Sequence, residues 1–460
     1  MDISNTKVST IINALKEEIV SFGTPEGREN LERFIIADEK GTKDNIFVRK
    51  SRFTAPILID YILRHSPLST TVSLYDFFSG IGEDPVTKSA FSQRRTRLDP
   101  EVFNHLNRNF INRSYAVLSS ELELWHGWHL IACDGSDIEL VDTEPVAEHF
   151  GRYIYVNNKG EKCEGSPMAK ALMVNDMLNG FTLWSKLCPY NKDERNAFEE
   201  MVPEIQATAP FNLSKTICVL DRGYFSLKLI YLLAKTSMKY VVRVQNPGGI
   251  IRQFIDSGEK ERIIEWSPSS NTSLSKYPDW IKEGGKPLAI RLVRVEFPKG
   301  EVEVLATNLT VDEVPHSMMK KLYFMRWPIE VDYLHYKHVL VIEAFSGARP
   351  LCVMQDFYAT VVDYNIACLI EDDAKKDVEE ENKHKEQRYK TNFAVLVGIF
   401  FSEFINLMIL DKLDSAVTSL KKVAREKLTP IMEGRSFPRV RKRRKSSDRQ
   451  LTRNNRKRVS

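Results

Sequence analysis

Residues 323–337 read Tyr-Phe-Met-Arg-Trp-Pro-Ile-Glu-Val-Asp-Tyr-Leu-His-Tyr-Lys, and within them Tyr323, Arg326, Glu330 and Lys337 follow one another at steps of 3, 4 and 7. At about 100° per residue on an α-helix, those steps predict four side chains within an arc of roughly 60°. One face then offers an aromatic hydroxyl, a guanidinium, a carboxylate and an ammonium group. Three donors suited to phosphate beside one metal-seeking carboxylate point to a polyanion held at a metal centre. Pro328 divides the stretch, because proline inside a helix removes a backbone donor and crowds the preceding turn. The helix is therefore expected to kink or begin near it. That leaves the geometry firmer for Glu330 and Lys337 than for Tyr323 and Arg326.

Upstream, two carboxylates follow strand-like runs: Trp128-His-Leu-Ile-Ala-Cys leads into Asp134-Gly135-Ser136, and Thr216-Ile-Cys-Val-Leu leads into Asp221-Arg222-Gly223-Tyr224. Between them, Ala171–Val174 and Phe181–Trp184 flank Asn179-Gly180 and read as a hairpin. Asp193–Ile205 has helical spacing, as does Leu227–Ala234, and Tyr240–Val244 is again a strand. The order strand, hairpin, helix, strand, helix, strand predicts an α/β domain, and open sheets of this kind place ligands at strand ends. If the two strands are neighbours, Asp134 and Asp221 share one shallow site that Glu330 can complete.

Oxygen ligands without a His/Cys cluster suit Mg²⁺ or Mn²⁺ rather than Zn²⁺. Two such ions about 4 Å apart can activate a water or 3′-hydroxyl and stabilise the leaving oxygen of a phosphoryl transfer. No persuasive Ser/His/Asp constellation competes. Asp137, Glu139 and Asp142 crowd Asp134 but read more simply as solvated or capping residues. His335 and His338 stand three apart with no evident third ligand, as surface or packing histidines do. Arg222 can reach a phosphate or form a structural ion pair. Trp266 and Trp280 can stack on an unpaired base or pack within a β layer.

Around this centre the chain divides by composition. Residues 1–120 predict a helical N-terminal domain, to which the family resemblance given below adds the binding of DNA ends. In it the segment 87–98, the Asp99-Pro100 turn and the run from Glu101 read as helix, turn, helix: either a helix-turn-helix with Ser92–Arg97 as its reading face or a plain helical packing unit. The catalytic core is expected at 121–245 and 313–350. A β-rich insertion fills 246–312, C-terminal helices follow at 351–430, and a basic disordered tail occupies 431–460. The charged stretch Glu371–Lys390 and the tail are the low-complexity segments.

The net charge of +4 hides an asymmetry: residues 434–460 carry twelve Lys/Arg and one Asp, which leaves −7 on the remainder. Such a tail binds phosphate backbones without reading sequence, more weakly as salt rises. Arg-Lys-Arg-Arg-Lys at 441–445 has the composition of a nuclear signal, which nothing else supports. Six cysteines without a Cys-x-x-Cys pair argue against a zinc site or disulfide framework and fit a reducing cytoplasm. The opening residues show no basic-then-apolar leader. The apolar stretch Phe393–Leu410, broken by Ser402, Glu403 and Asn406, reads as a buried helix rather than a membrane span.

The four spaced residues, Asp134-Gly-Ser, Asp221-Arg-Gly-Tyr and the downstream Glu343-Ala-Phe-Ser-Gly together resemble the bacterial insertion-sequence transposases of the DDE class that carry a Tyr-(2)-Arg-(3)-Glu-(6)-Lys signature. The resemblance covers roughly residues 85–350. It implies a ribonuclease-H-like catalytic core with a β insertion before the glutamate helix. It implies that Asp134, Asp221 and Glu330 are catalytic and bind two Mg²⁺ or Mn²⁺ ions. Cleavage, hairpin formation, hairpin opening and strand transfer would share one site. Tyr323 and Arg326 would contact phosphate near the cleaved end, and Lys337 would hold a phosphate of the transferred strand. The partners implied are double-stranded DNA, as inverted-repeat ends and target, and a second copy in a synaptic homodimer; the setting is cytoplasmic and nucleoid-associated, without a membrane. The rival readings are a nuclease of the same fold that cuts without joining, and an idle DNA-binding protein.

Overall fold

Thr216-Ile-Cys-Val-Leu is buried at every position, as expected of a strand covered on both faces in a parallel sheet. In the computed structural model this strand lies inside a mixed sheet with helices packed around it. Residues 3–432 are described, apart from 38–40, 44–46, 48–51, 65, 67, 158, 245–248, 268–284 and 297–300. The basic tail and Trp280 lie outside the described residues.

The chain begins with α1 (Ile3–Ser21), α2 (Arg28–Glu32), α3 (Ala55–Leu63), α4 (Thr70–Gly80), α5 (Lys88–Arg95) and α6 (Glu101–Val117). Side-chain caps start two of these helices: Thr54 accepts from the Ile57 amide and Thr87 from the Ala90 amide. Then come β1 (His129–Glu139), α7 (Glu144–Phe150), β2 (Arg152–Val156), β3 (Lys162–Asp176), β4 (Thr182–Pro189), α8 (Glu194–Thr208), β5 (Thr216–Leu220), α9 (Leu227–Lys235) and β6 (Lys239–Arg243). Gly180, at φ +74°, supplies the left-handed residue that turns β3 into β4.

Five strands stand in the order β4-β3-β1-β5-β6. The strand β3 is antiparallel to β1 and β4, and along its first half to β2, whereas β1, β5 and β6 are parallel. With α8 and α9 as the two crossovers, this is the ribonuclease-H-like arrangement.

The segment read as an insertion contributes α10 (Gly249–Ser257), β7 (Glu261–Trp266), β8 (Leu288–Glu296) and β9 (Val302–Thr307). Its strands do not form a separate layer. They continue the main sheet beyond β6 in the order β9-β8-β7, with Val241 opposite Thr307 and Arg243 opposite Leu305. The backbone edge that β6 would otherwise expose is thereby paired. A second departure concerns β1, which was expected to stop before Asp134. It runs on to Glu139, because β3 keeps an antiparallel ladder going as far as Glu139 opposite Met168.

After β9 come α11 (His316–Phe324), α12 (Pro328–Leu334) and a π-helical turn, His335–Val339. The remaining elements are α13 (Pro350–Asn382), β10 (Tyr389–Thr391), α14 (Phe393–Met408), α15 (Leu413–Glu426) and β11 (Leu428–Pro430). The charged stretch from Glu371 is mostly the second half of α13. No described helix is long and apolar enough to cross a membrane.

The N- and C-terminal helices share contacts: α13 packs on α3, α6 and β4, and α15 packs on α1. Buried polar groups fix the arrangement. Asn365 of α13 donates to Asn107 Oδ1 of α6 at 2.6 Å and to the Thr182 carbonyl at 2.8 Å, while Tyr336 donates to the Thr182 hydroxyl at 2.9 Å.

A second network centres on Arg95, which is 2% exposed. It donates to Asp356 Oδ1 at 2.6 Å, Ser346 Oγ at 2.6 Å and Gln355 Oε1 at 2.7 Å. Arg95 therefore ties α5 to α13 and does not belong to an exposed reading face. Breaking such a pair strands a buried carboxylate. We expect Arg95→Ala to lower unfolding free energy by about 3–5 kcal/mol in urea titrations; a loss below about 1 kcal/mol would show the network to be dispensable.

Candidate active site

The parallel ladder of β1 and β5 ends with Cys133 opposite Leu220. Asp134 and Asp221 are the next residues on each strand, so their backbones emerge side by side. Side chains alternate between the faces of a strand. A Cβ on Gly135 would meet Glu194 Cδ at 2.6 Å, so that face is filled by the first turn of α8. Asp134 points to the other face, where Arg326 and Glu330 lie.

The expected single helix from Tyr323 to Lys337 is not present. The first helix, α11, ends at Phe324, a turn carries Met325–Trp327, and α12 begins at Pro328. Proline suits that first position, since its missing N–H would have no helical partner there. The stretch is interrupted again at His335, where the π-helical turn carries Lys337. The Glu330–Lys337 half is thus one turn of α12 followed by a wider π turn, not a regular helix.

The broken path still gathers three of the four residues at the two strand ends. The Tyr323 hydroxyl donates to Asp221 Oδ1 at 3.0 Å. The Arg326 guanidinium lies 3.8 Å from Asp134 Oδ2 and donates to Glu330 Oε1 at 3.1 Å. Lys337 is elsewhere along β1, donating to the Asp137 carbonyl at 2.7 Å.

The helix α12 is locked from below by consecutive residues. Asp332 accepts from Asn175 at 2.7 Å and from Tyr364 at 2.9 Å; the Tyr333 hydroxyl donates to the Asp134 carbonyl at 2.7 Å and the Ala171 carbonyl at 3.1 Å. These contacts set Glu330, one turn earlier, over the sheet.

The charge balance is uneven. Burial pushes the Asp134 carboxyl up to about 6, with Arg326 opposing and Glu194 and Glu330 adding to the rise. Burial also pushes the Tyr323 phenol up to about 12, helped by the Asp221 charge. Burial works against the Arg326 charge, but Asp134, Tyr323 and Asp221 outweigh it and its pKa is raised. Arg243, at the end of β6, reaches Asp221 Oδ1 at 3.8 Å and pairs with Glu303 of β9.

The secondary candidates have other partners. Asp137 pairs with Lys170 at 2.9 Å and Asp142 with Arg152 at 2.9 Å, while the Glu139 amide donates to Glu343 at 3.0 Å. His335 stacks on Phe393, and burial pushes its pKa down to about 4. Trp266 stacks on Phe225, as a packing residue does. Arg222 is exposed.

Sequence reading missed Glu194, Arg243 and Tyr333. The glycine after Asp134 was the one available sign that another element approaches there.

Among the described residues, no group of three or more His, Cys, Asp or Glu side chains is gathered closely enough to hold a metal ion. Asp134 and Glu330 are held by the Arg326 guanidinium, and Asp221 by Tyr323 and Arg243. Their chemistry nonetheless fits a hard divalent cation, since the donors are all oxygen.

Residues 127–346 match the family model described as the transposase DDE domain. The matched span contains the whole main sheet, both strand-end aspartates and the glutamate helix. Among solved structures, the chain is similar to the piggyBac transposase in a cryo-EM synaptic complex with hairpin DNA. That similarity has a TM-score of 0.40 at 10% identity and covers 89% of this chain and 84% of the other. No curated protein matches the sequence.

The raised Asp134 carboxyl has a consequence for stability. With its folded pKa about 6 against 3.8 unfolded, the folded state holds the extra proton between those values, so stability falls as pH rises through that window and the deficit persists above it. Without divalent cations, we expect Asp134→Asn to be more stable than wild type by on the order of 2 kcal/mol at pH 8. The gap should close towards pH 4 in thermal melts. A gap independent of pH would show that burial of this carboxylate is not what is being relieved.

Proposed function

We propose that this chain is a DNA transposase that cleaves and joins transposon ends by metal-dependent phosphoryl transfer at Asp134, Asp221 and Glu330. The observation that carries the reading is that Asp134 and Asp221 emerge side by side from adjacent parallel strands, with Arg326 joining Asp134 to Glu330 and Tyr323 bonded to Asp221, inside a span that matches a transposase DDE domain.

Asp134, Asp221 and Glu330 would hold two Mg²⁺ or Mn²⁺ ions. Bound there, such ions supply a nucleophilic water or 3′-hydroxyl and stabilise the leaving oxygen. The chain's own residues orient and neutralise. Arg326 has its Nε beyond the two nitrogens that its present carboxylate contacts use, and its planar fork matches phosphate oxygens. Tyr323 presents a protonated hydroxyl beside Asp221, available as a donor to a phosphate near the cleaved end. Tyr333 holds the β1 backbone at Asp134, and with Asp332 it keeps Glu330 from drifting. Lys337, on the next turn, would hold a phosphate of the transferred strand. Two copies would bring two inverted-repeat ends together, and a hairpin on the element end would link the cleavage and joining steps.

Incubating the full-length protein with DNA bearing the element's ends, in Mg²⁺ or Mn²⁺, tests this reading. Hairpinned ends and joined products are expected. Nicks alone would favour a nuclease of the same fold, and binding without any cleavage would favour an idle DNA-binding protein. Glu330→Gln should lower the cleavage rate at least about a thousandfold while end binding persists. Lys337→Ala should weaken the hold on the DNA end and leave Mn²⁺ affinity as in wild type; a loss of metal affinity in that variant contradicts its assignment to phosphate.

A further inference from the structure

A cavity of about 720 Å³ opens between α5 and the loop that leads into α13. Its lining contains no Asp or Glu among the described residues, although the chain has 62 of them. Instead one wall presents Lys88, Ser89, Ser92 and Gln93 of α5, all exposed, and the other presents Ser346 and the exposed Arg349. Neither Lys88 nor Arg349 forms an ion pair among the described residues. The floor is Arg95, whose charge is already matched by Asp356. The loop can lie this low only because residue 347 is glycine: a Cβ there would meet Cys352 Cβ at 2.6 Å.

The cavity also has a place on a line. Moving down β1 from Asp134, Arg326 stands at Asp134, Lys337 at the Asp137 carbonyl, and Glu343 at the Glu139 amide. Beyond the strand, the Thr143 hydroxyl donates to the Ala348 carbonyl at 2.9 Å, beside Arg349. Two cations, Arg326 and Lys337, thus stand along β1, Glu343 interrupts them at its end, and Arg349 of the cavity follows beyond it. Five residues of strand separate Asp134 from Glu139, or about 17 Å at roughly 3.3 Å per residue. At about 3.4 Å per nucleotide along a duplex strand, that is roughly five base pairs.

We propose that this cavity is a binding site for the phosphodiester backbone of duplex DNA, with Lys88 and Arg349 gripping phosphates beyond the roughly five base pairs that β1 spans from the scissile bond. Hydroxyls, an amide and two exposed cations with no carboxylate form a surface that takes phosphate and does not read bases. The inference rests on the proposed reading of Asp134, Asp221 and Glu330 as the DNA-cleaving centre. The same backbone chemistry belongs to the element's own end and to the target duplex, and the test separates them.

The full-length protein and the variant Lys88→Ala/Arg349→Ala are titrated with fluorescent duplexes in EDTA across a salt series. One set carries an element end cut back to three base pairs from the cleavage site, and the other extends fifteen. For the long duplex, the variant should bind at least about tenfold more weakly and lose about 2 from the log–log salt slope. Its melting temperature should match wild type, since both side chains are exposed and without ion pairs. For the short duplex the two proteins should be alike. A defect seen instead only when pre-cleaved ends capture a second duplex also supports the site and assigns it to target DNA. Unchanged affinity, salt slope and capture overturn it. Wild-type protein that binds no duplex overturns the underlying reading as well.

Discussion

The parallel ladder between β1 and β5 ends at Cys133 opposite Leu220, and the rest of the site is arranged around that ending. Two carboxylates leave adjacent strands at the same level, one of them largely withdrawn from water. Asp134 lies beside Arg326, delivered by the turn between α11 and α12, and Asp221 beside Arg243 from β6. Each acidic residue is thus held beside a cation that belongs to the sheet or to the helix above it. The same crowding explains why Asp134 titrates high and why the neighbouring residue is glycine, with Glu194 pressed against its other face.

Glu330 depends on a longer chain of support. Pro328 starts its helix, Asp332 and Tyr333 pin it to β3 and β1, and Tyr336 pins the following turn to β4. The strand ends and the helix therefore move as one packed unit, and the N-terminal helices are joined to that unit through Asn107, Asn365 and Arg95. The site is built on ladders and buried hydrogen bonds, not on mobile loops.

Much of this was legible in the chain. The strands before Asp134 and Asp221, the Asn179-Gly180 hairpin and the two crossover helices have periods and punctuation that local physics explains. The reach of the spacing from Tyr323 to Lys337 was not. It suggested one helix face, whereas the contacts arise from a helix, a turn, a second helix and a π turn, because Pro328 opens a new helix and Arg326, in the turn before it, is drawn down to Asp134. Residues paired across the whole chain, such as Arg95 with Asp356 or Glu139 with Glu343, leave no local pattern. The helix Pro350–Asn382 was visible only vaguely, since its buried residues fall all round and no stripe marks it. The joining of β9 to β6 was equally hidden, because strand pairing over such a separation is a property of the assembled sheet.

Anomalous diffraction from crystals soaked in Mn²⁺ tests the shared centre most directly. Manganese flanked by Asp134, Asp221 and Glu330, with Arg326 displaced from between the carboxylates, is the expected result. Ordered manganese elsewhere, with none at these three residues under saturating metal, would contradict it.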